Sequence, residues 1–264
     1  MYILKYILVF EGREYEMTQP VEIELHVGHY GDGTGSRGYV DEVQYARKFI
    51  KRIYEILIAN KVAATFYEDK ISKNQTQNIN HLVSYHNKDR NGLIVSGHLN
   101  STTPLTDQPI GGEVLYSTQK DLAAKVAKAM SDASGLKNRG AIYRNNIGVL
   151  TKTYEPGILI EFGFVNSKKD IELLDQNLEA ICLAIAKVLA AAIGHPFSTP
   201  AKEEGNEVET SKNTLDATGV SEAKKLFGKL YEKGVFSVDH SDKIEQYSDG
   251  KILSLLLAYL NRSQ

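Results

Sequence analysis

Apolar and polar positions along this chain switch between two periods, and the switches mark out its elements. "VEIELHV" (21–27) alternates apolar and polar residues, as a strand does. From Asp41 to Lys61 the period becomes helical. Val43, Ala46, Ile50, Ile53 and Leu57 fall on one face, with Arg47, Lys48, Lys51 and Arg52 mostly off it. "VAATFYED" (62–69) reads as a second strand, and "KNQTQNINHLVSYHNK" (73–88) as a more polar helix with Ile79, Leu82 and Val83 facing inward. "GLIVSGHLNS" (92–101) is a third strand, almost wholly apolar until Ser96, and "EVLYS" (113–117) a short fourth. "TQKDLAAKVAKAMSDASG" (118–135) is a helix stopped by Gly135 in the C-cap position. "PGILIEFGFVN" (156–166) is another buried strand. Ser167 and Asp170 then open a long helix as a capping-box variant, and it stops at Gly194 with Pro196 just beyond.

Strands that alternate with helices predict an α/β fold: an open, twisted, mostly parallel sheet with helices on both faces. This domain spans 21–195. From 196 to 219 apolar residues nearly vanish in favour of Glu, Lys, Thr and Ser, the composition of an extended linker. "VSEAKKLFGKLYEKGVF" and "KILSLLLAYLNR" then predict two amphipathic helices and a small C-terminal helical domain over 220–264. Residues 1–20 stand apart as an N-terminal extension with two readings. "YILVFEGREYEM" fits a hairpin with Gly12 in the turn, while Met17 directly before the first strand also fits a start. The apolar part is short, charged residues follow at once, and no small-residue cleavage site appears, so it does not read as a signal peptide.

Composition narrows the class. At 264 residues, with 42% hydrophobic and 24% charged residues, the chain reads as soluble and globular with ample core. A net charge of -2 gives no sign of a nucleic-acid partner or of a basic membrane surface. The single cysteine, Cys182, excludes an internal disulfide and sits in "AICLAIAKVLAAAIG" as a small buried hydrophobe. That run is too short for a membrane span.

Chemistry collects where parallel strands end. The first strand ends at Gly28-His29. The third presents Ser96, His98 and Asn100 on one side by its period of two. Between them "HVGHYGDGTGSRGYVDE" (26–42) spends several glycines to return Glu42, at the head of the first helix, to the same edge. Glu42 alone would be an ordinary first-turn carboxylate. With His29 and His98 it makes a three-ligand zinc site that leaves one position open, the arrangement of catalytic zinc. Glu161 is the strongest anomaly, a charged residue inside "GILIEFGFV" that would otherwise be buried unpaired. It reads as the general base for water, then the acid for the leaving amine. The other histidines, His26, His81, His86, His195 and His240, read as exposed polar or capping residues.

The blocks "HVGHYGDGTGSRGYVDEVQYARKF", "LIVSGHLNS", "GGEVLYS" and "SGLKNRGAIYRNNIGVLTKTYEPGILIEFGFVNSKKDIELL" resemble, in order, those of the zinc-dependent N-acetylmuramoyl-L-alanine amidases. The resemblance covers about 26–190. It implies hydrolysis of the amide joining muramic acid to the stem peptide of peptidoglycan, with one Zn2+ per chain on His29, Glu42 and His98 and with Glu161 catalytic. It also implies that Asn100, Asn138 and Arg139 lie near the substrate. The chain departs from the family where "HVGHYG" replaces the Asp-Pro-Gly-His start of many members. A modular lytic enzyme of this kind resembles a phage endolysin or a bacterial autolysin, made in the cytoplasm and acting at the cell wall. The expected partner is peptidoglycan, without nucleic acid or membrane insertion. The C-terminal helices would bind the wall, or drive self-association through "ILSLLLAYL". Two rival readings remain: a zinc peptidase cutting within the stem peptide, and a non-catalytic wall-binding protein of the same fold.

Overall fold

The strand-like runs assemble into a six-stranded sheet and a separate hairpin. The structure, a computed structural model, describes residues 5–10, 13–18, 20–198, 217–232, 241 and 244. It divides into two units, residues 1–198 and 199–264. In the hairpin, β1 (Lys5–Phe10) pairs antiparallel with β2 (Arg13–Thr18), Phe10 opposite Arg13, as the hairpin reading of this stretch expects.

The sheet contains β3 (Glu22–Val27), β4 (Ala64–Glu68), β5 (Gly92–Asn100), β6 (Gly112–Tyr116), β7 (Asn138–Tyr143) and β8 (Gly157–Phe164). Their spatial order is β4-β3-β5-β8-β6-β7. The first four run parallel, β6 is antiparallel to β8, and β7 is parallel to β6. The sequence pattern did not mark β7 as a strand. It is an edge strand with no buried residue, so no apolar run betrays it.

Three helices, α1 (Glu42–Ala59), α3 (Lys120–Ser134) and α5 (Lys168–Ala192), cover one face of the sheet. Every second residue of the central strands meets them: Ile23, Leu25 and Val27 from β3, Leu93 and Val95 from β5, Ile158, Ile160 and Phe162 from β8. Phe49 of α1 stacks on Phe162 with ring centroids 4.6 Å apart, and Cys182 lies in this core as expected. The inward face of α1 is the predicted one, since Val43, Ala46, Ile50, Ile53 and Leu57 are all buried.

The other face carries α2 (Gln75–His86) and the single turn α4 (Gly148–Thr151) over a smaller cluster that includes Leu82, Leu115, Val149 and Leu159. Here two expectations are corrected. Ile79 and Val83 are only half-buried, and the buried stripe of α2 is Asn78, Leu82 and His86. His26 and His86, expected at the surface, are 0% and 1% exposed. Both corrections share one cause. The alternation of β3 marks a face roofed by a helix, not by water, so its polar residues must find partners under that roof.

In the second unit, α6 (Ala217–Glu232) buries Ala223, Phe227 and Leu230, spaced i, i+4 and i+7 on one face. The other expected helix, "KILSLLLAYLNR", and most of the expected linker, residues 199–216, lie outside the described residues. Among the described residues no helix is long and apolar enough to cross a membrane.

Candidate active site

The period of two along the sheet places the candidate groups together. His98 of β5 and Glu161 of β8 are direct neighbours across parallel strands, so both project from the α2–α4 face near the carboxyl edge. His29 follows the end of β3 in a left-handed conformation, φ 63°. Asn78 donates from Nδ2 to the His29 carbonyl (2.8 Å) and to Asp69 Oδ2 (2.9 Å), which fixes that unusual backbone.

Glu42 is the first residue of α1, directly after the N-cap Asp41, whose side chain accepts from the Gln44 N–H. Glu42 is 3% exposed. Oε1 accepts from His29 Nε2 (2.8 Å) and from His98 Nδ1 (2.9 Å), and Oε2 accepts from the Ser36 N–H (2.7 Å). Burial works against its charge, but the two imidazole hydrogen bonds outweigh that and hold the carboxyl well below its usual range. Burial lowers His98, against the pull of Glu42, which favours the neutral imidazole that a metal requires.

The glycine-rich loop is explained by two close approaches. A Cβ on Gly28 would lie 2.1 Å from His98 Cε1, and one on Gly35 would lie 2.8 Å from Glu42 Oε2 and 2.9 Å from His29 Cδ2. Any side chain there would occupy the space in which the three residues meet.

One ligand atom from each of His29, Glu42 and His98 lies within 4.8 Å of the others. Two imidazole nitrogens and one carboxylate oxygen form the donor set of a catalytic zinc site. Both ring N–H groups already aim at a single oxygen, so the residues present fit a dication in place of two protons.

Glu161 lines the same cavity, whose volume is about 470 Å3. Its Oε2 is buried without a hydrogen-bond partner. Burial first, then the Glu42 and Glu113 carboxylates, push Glu161 up to about 8. A buried carboxyl with a raised affinity for its proton, beside three convergent metal-ligand side chains, has the properties that general acid–base chemistry requires.

Of the residues the resemblance places near substrate, Asn100 lines the cavity. Its Nδ2 donates to Glu113 Oε1 (3.0 Å), and Arg139 Nε donates to Glu113 Oε2 (2.6 Å). Glu113, 4% exposed and paired across strands with Glu161, therefore joins Arg139 to Asn100. Asn138 opens β7 and its Oδ1 accepts from the Gly140 N–H (2.8 Å). Sequence reasoning missed Asn78 and Glu113. For Glu113 there was a signal, a carboxylate opening the otherwise apolar "EVLY", while Asn78 gave none because the apolar residues beside it, Ile79, Leu82 and Val83, define the expected helix face.

Residues 23–194 match the sequence model of the family described as N-acetylmuramoyl-L-alanine amidase. Among curated proteins, an uncharacterized 38.4 kDa protein of Clostridium perfringens is 23% identical over 211 residues, or 76% of this chain. The chain spans 60% of that relative's length. Among solved structures, the catalytic domain of the CD27L endolysin targeting Clostridia difficile superposes with a TM-score of 0.57 at 23% identity, over 68% of this chain and 99% of that one. The amidase AmiC2 of Nostoc punctiforme gives 0.55 at 22% identity, over 66% and 97%. These likenesses concern the fold. The matched family span runs from the second residue of β3 past the end of α5 and takes in His29, Glu42, His98 and Glu161, so this chain belongs to the N-acetylmuramoyl-L-alanine amidase family.

Proposed function

We propose that this protein hydrolyses the amide bond between N-acetylmuramic acid and L-alanine in peptidoglycan, with one zinc ion held by His29, Glu42 and His98. The observation that carries this reading is the orphaned Oε2 of Glu161, in one cavity with three convergent metal donors. Zinc bound there would supply Lewis-acid polarisation of the lactyl carbonyl and would acidify water. Beside that cation Glu161 would be ionised, since an adjacent positive charge favours the carboxylate. Its Oε2 takes one proton as the water oxygen bonds to the carbonyl carbon, and returns it to the alanine nitrogen as the C–N bond breaks. Asn100, steadied by Glu113 and Arg139, orients the substrate, with Asn138 and Arg139 on the approach to it. Leu115, Ile147 and Val149 give the cavity an apolar wall that excludes bulk water.

The second unit holds the enzyme on the cell wall, which raises the local concentration of substrate. A lytic role, as endolysin or autolysin, follows from that arrangement. The test is mass spectrometry of purified peptidoglycan after digestion. Release of stem peptides with free amino-terminal L-alanine, leaving lactyl carboxylates on the glycan, is expected. Cuts inside the stem peptide would make the protein a peptidase instead, and intact muropeptides would leave only wall binding.

A further inference from the structure

At the other end of β3, away from this cavity, three buried side chains converge that the amidase reaction does not use. Glu24 and Glu155 are each 5% exposed, and His86, the last residue of α2, is 1% exposed. One ligand atom from each lies within 4.8 Å of the others. Glu24 lies four residues before Gly28, roughly 13 Å along the strand from the His29 end.

The hydrogen bonds leave this cluster incomplete. His86 Nδ1 donates to Glu24 Oε2, and His86 Nε2 faces His26 Nδ1 at 2.8 Å. Glu155 Oε1 accepts from the Gly92 N–H (2.7 Å), but its Oε2 is buried with no hydrogen-bond donor, and the Asp89 carboxylate approaches the same group. That orphaned oxygen is aimed into the cluster. A Cβ on Gly92 would come within 2.7 Å of Glu24 Oε1 and 2.9 Å of Glu155 Oε2, so both carboxylates crowd the same small space beside His86.

We propose that Glu24, His86 and Glu155 form a second metal site, which takes a divalent transition-metal ion, zinc by preference, and pins the end of α2 to the amino ends of β3 and β8. The donor set decides the class of ion. One imidazole nitrogen with two carboxylates suits zinc and its neighbours, whereas calcium and magnesium want oxygen alone. His26 fills the outer role usual at such sites, accepting the ring N–H of the ligating histidine and fixing its tautomer.

Charge points the same way. Even a protonated His86 balances only one of the two buried carboxylates, and Glu22 and Asp89 add further negative charge around Glu24. The site is independent of the amidase reading, since it shares no ligand with the His29, Glu42 and His98 group.

The full chain, stripped with chelator and then dialysed against Zn2+ at pH 7.5, should retain two zinc ions per chain by elemental mass spectrometry. Glu155→Gln and His86→Gln should each retain one, His29→Ala should retain one, and the second equivalent should raise the wild-type thermal midpoint by several degrees but not that of Glu155→Gln. Wild-type saturation at one equivalent that His29→Ala removes would overturn the second site, and so would two equivalents that survive Glu155→Gln. One equivalent lost in Glu155→Gln but kept in His29→Ala would uphold this site and sink the catalytic zinc reading. If His86→Gln does not fold, the wild-type count and the near-isosteric Glu155→Gln still decide.

Discussion

Replacing Glu161 with Gln removes one charge and one proton acceptor while keeping the shape of the side chain. In the metal-free protein, burial raises this carboxyl from an ordinary 4.5 to about 8. At 1.36 kcal/mol per pH unit, that rise corresponds to roughly 5 kcal/mol against the ionised form. The sign follows from linkage. The folded state holds the proton more tightly than the unfolded chain, so the stability linked to Glu161 is complete below about pH 4.5 and is lost as pH rises through about 8. Chelated wild-type protein should therefore lose up to ~5 kcal/mol of unfolding free energy across that window, and Glu161→Gln should lose that much less. Denaturant titrations at pH 5 and pH 8, with and without chelator, measure the difference. Zinc should flatten the wild-type profile by stabilising the carboxylate. In the zinc-loaded enzyme the same substitution should leave the metal bound and cut turnover by ~100-fold or more, the loss expected for a general base. Near-normal turnover in the zinc-loaded variant would make Glu161 structural. Identical pH profiles for the two chelated proteins would show that its burial costs far less than the geometry implies.

Three further outcomes test the rest of the site and the modular layout. His29→Ala or His98→Ala should remove one bound zinc and the hydrolytic activity together, and full occupancy in either variant would refute the ligand assignment. Gly28→Ala should fold, because its backbone is not in the left-handed region, yet its methyl group would lie 2.1 Å from the His98 ring. Displacing that ring should weaken zinc binding by ~10-fold or more, read by competition with a chromogenic chelator, and unchanged affinity would show that His98 has room to spare. A chain ending at Ser198, the boundary between the two units, should still cleave soluble muropeptides but sediment poorly with intact walls. Equal sedimentation with and without residues 199–264 would remove the wall-binding role from the second unit.

The sequence by itself determined the layered α/β fold, because apolar periodicity reports which surface of each element must leave water. The inward face of α1, the buried strands β5 and β8, and the termination of α3 at Gly135 were all legible in this way. The chemical candidates His29, Glu42, His98 and Glu161 were legible too, since polar residues at strand ends, or inside an apolar strand, contradict the local pattern and call for a reason. Only the tertiary structure decided what covers the second face of the sheet. "VEIELHV" alternates as a strand with a wetted side would, yet α2 lies over that side and seals Glu24 and His26 beneath it. The hydropathy of a strand records which positions are polar; whether water or a helix satisfies them depends on contacts more than fifty residues away in the chain. Edge strand β7 escaped notice for the converse reason, since a strand that buries nothing leaves no mark on hydropathy. The same holds for the partners of Glu113 and Asn78. Their hydrogen bonds join segments distant in sequence, and no local spacing encodes them.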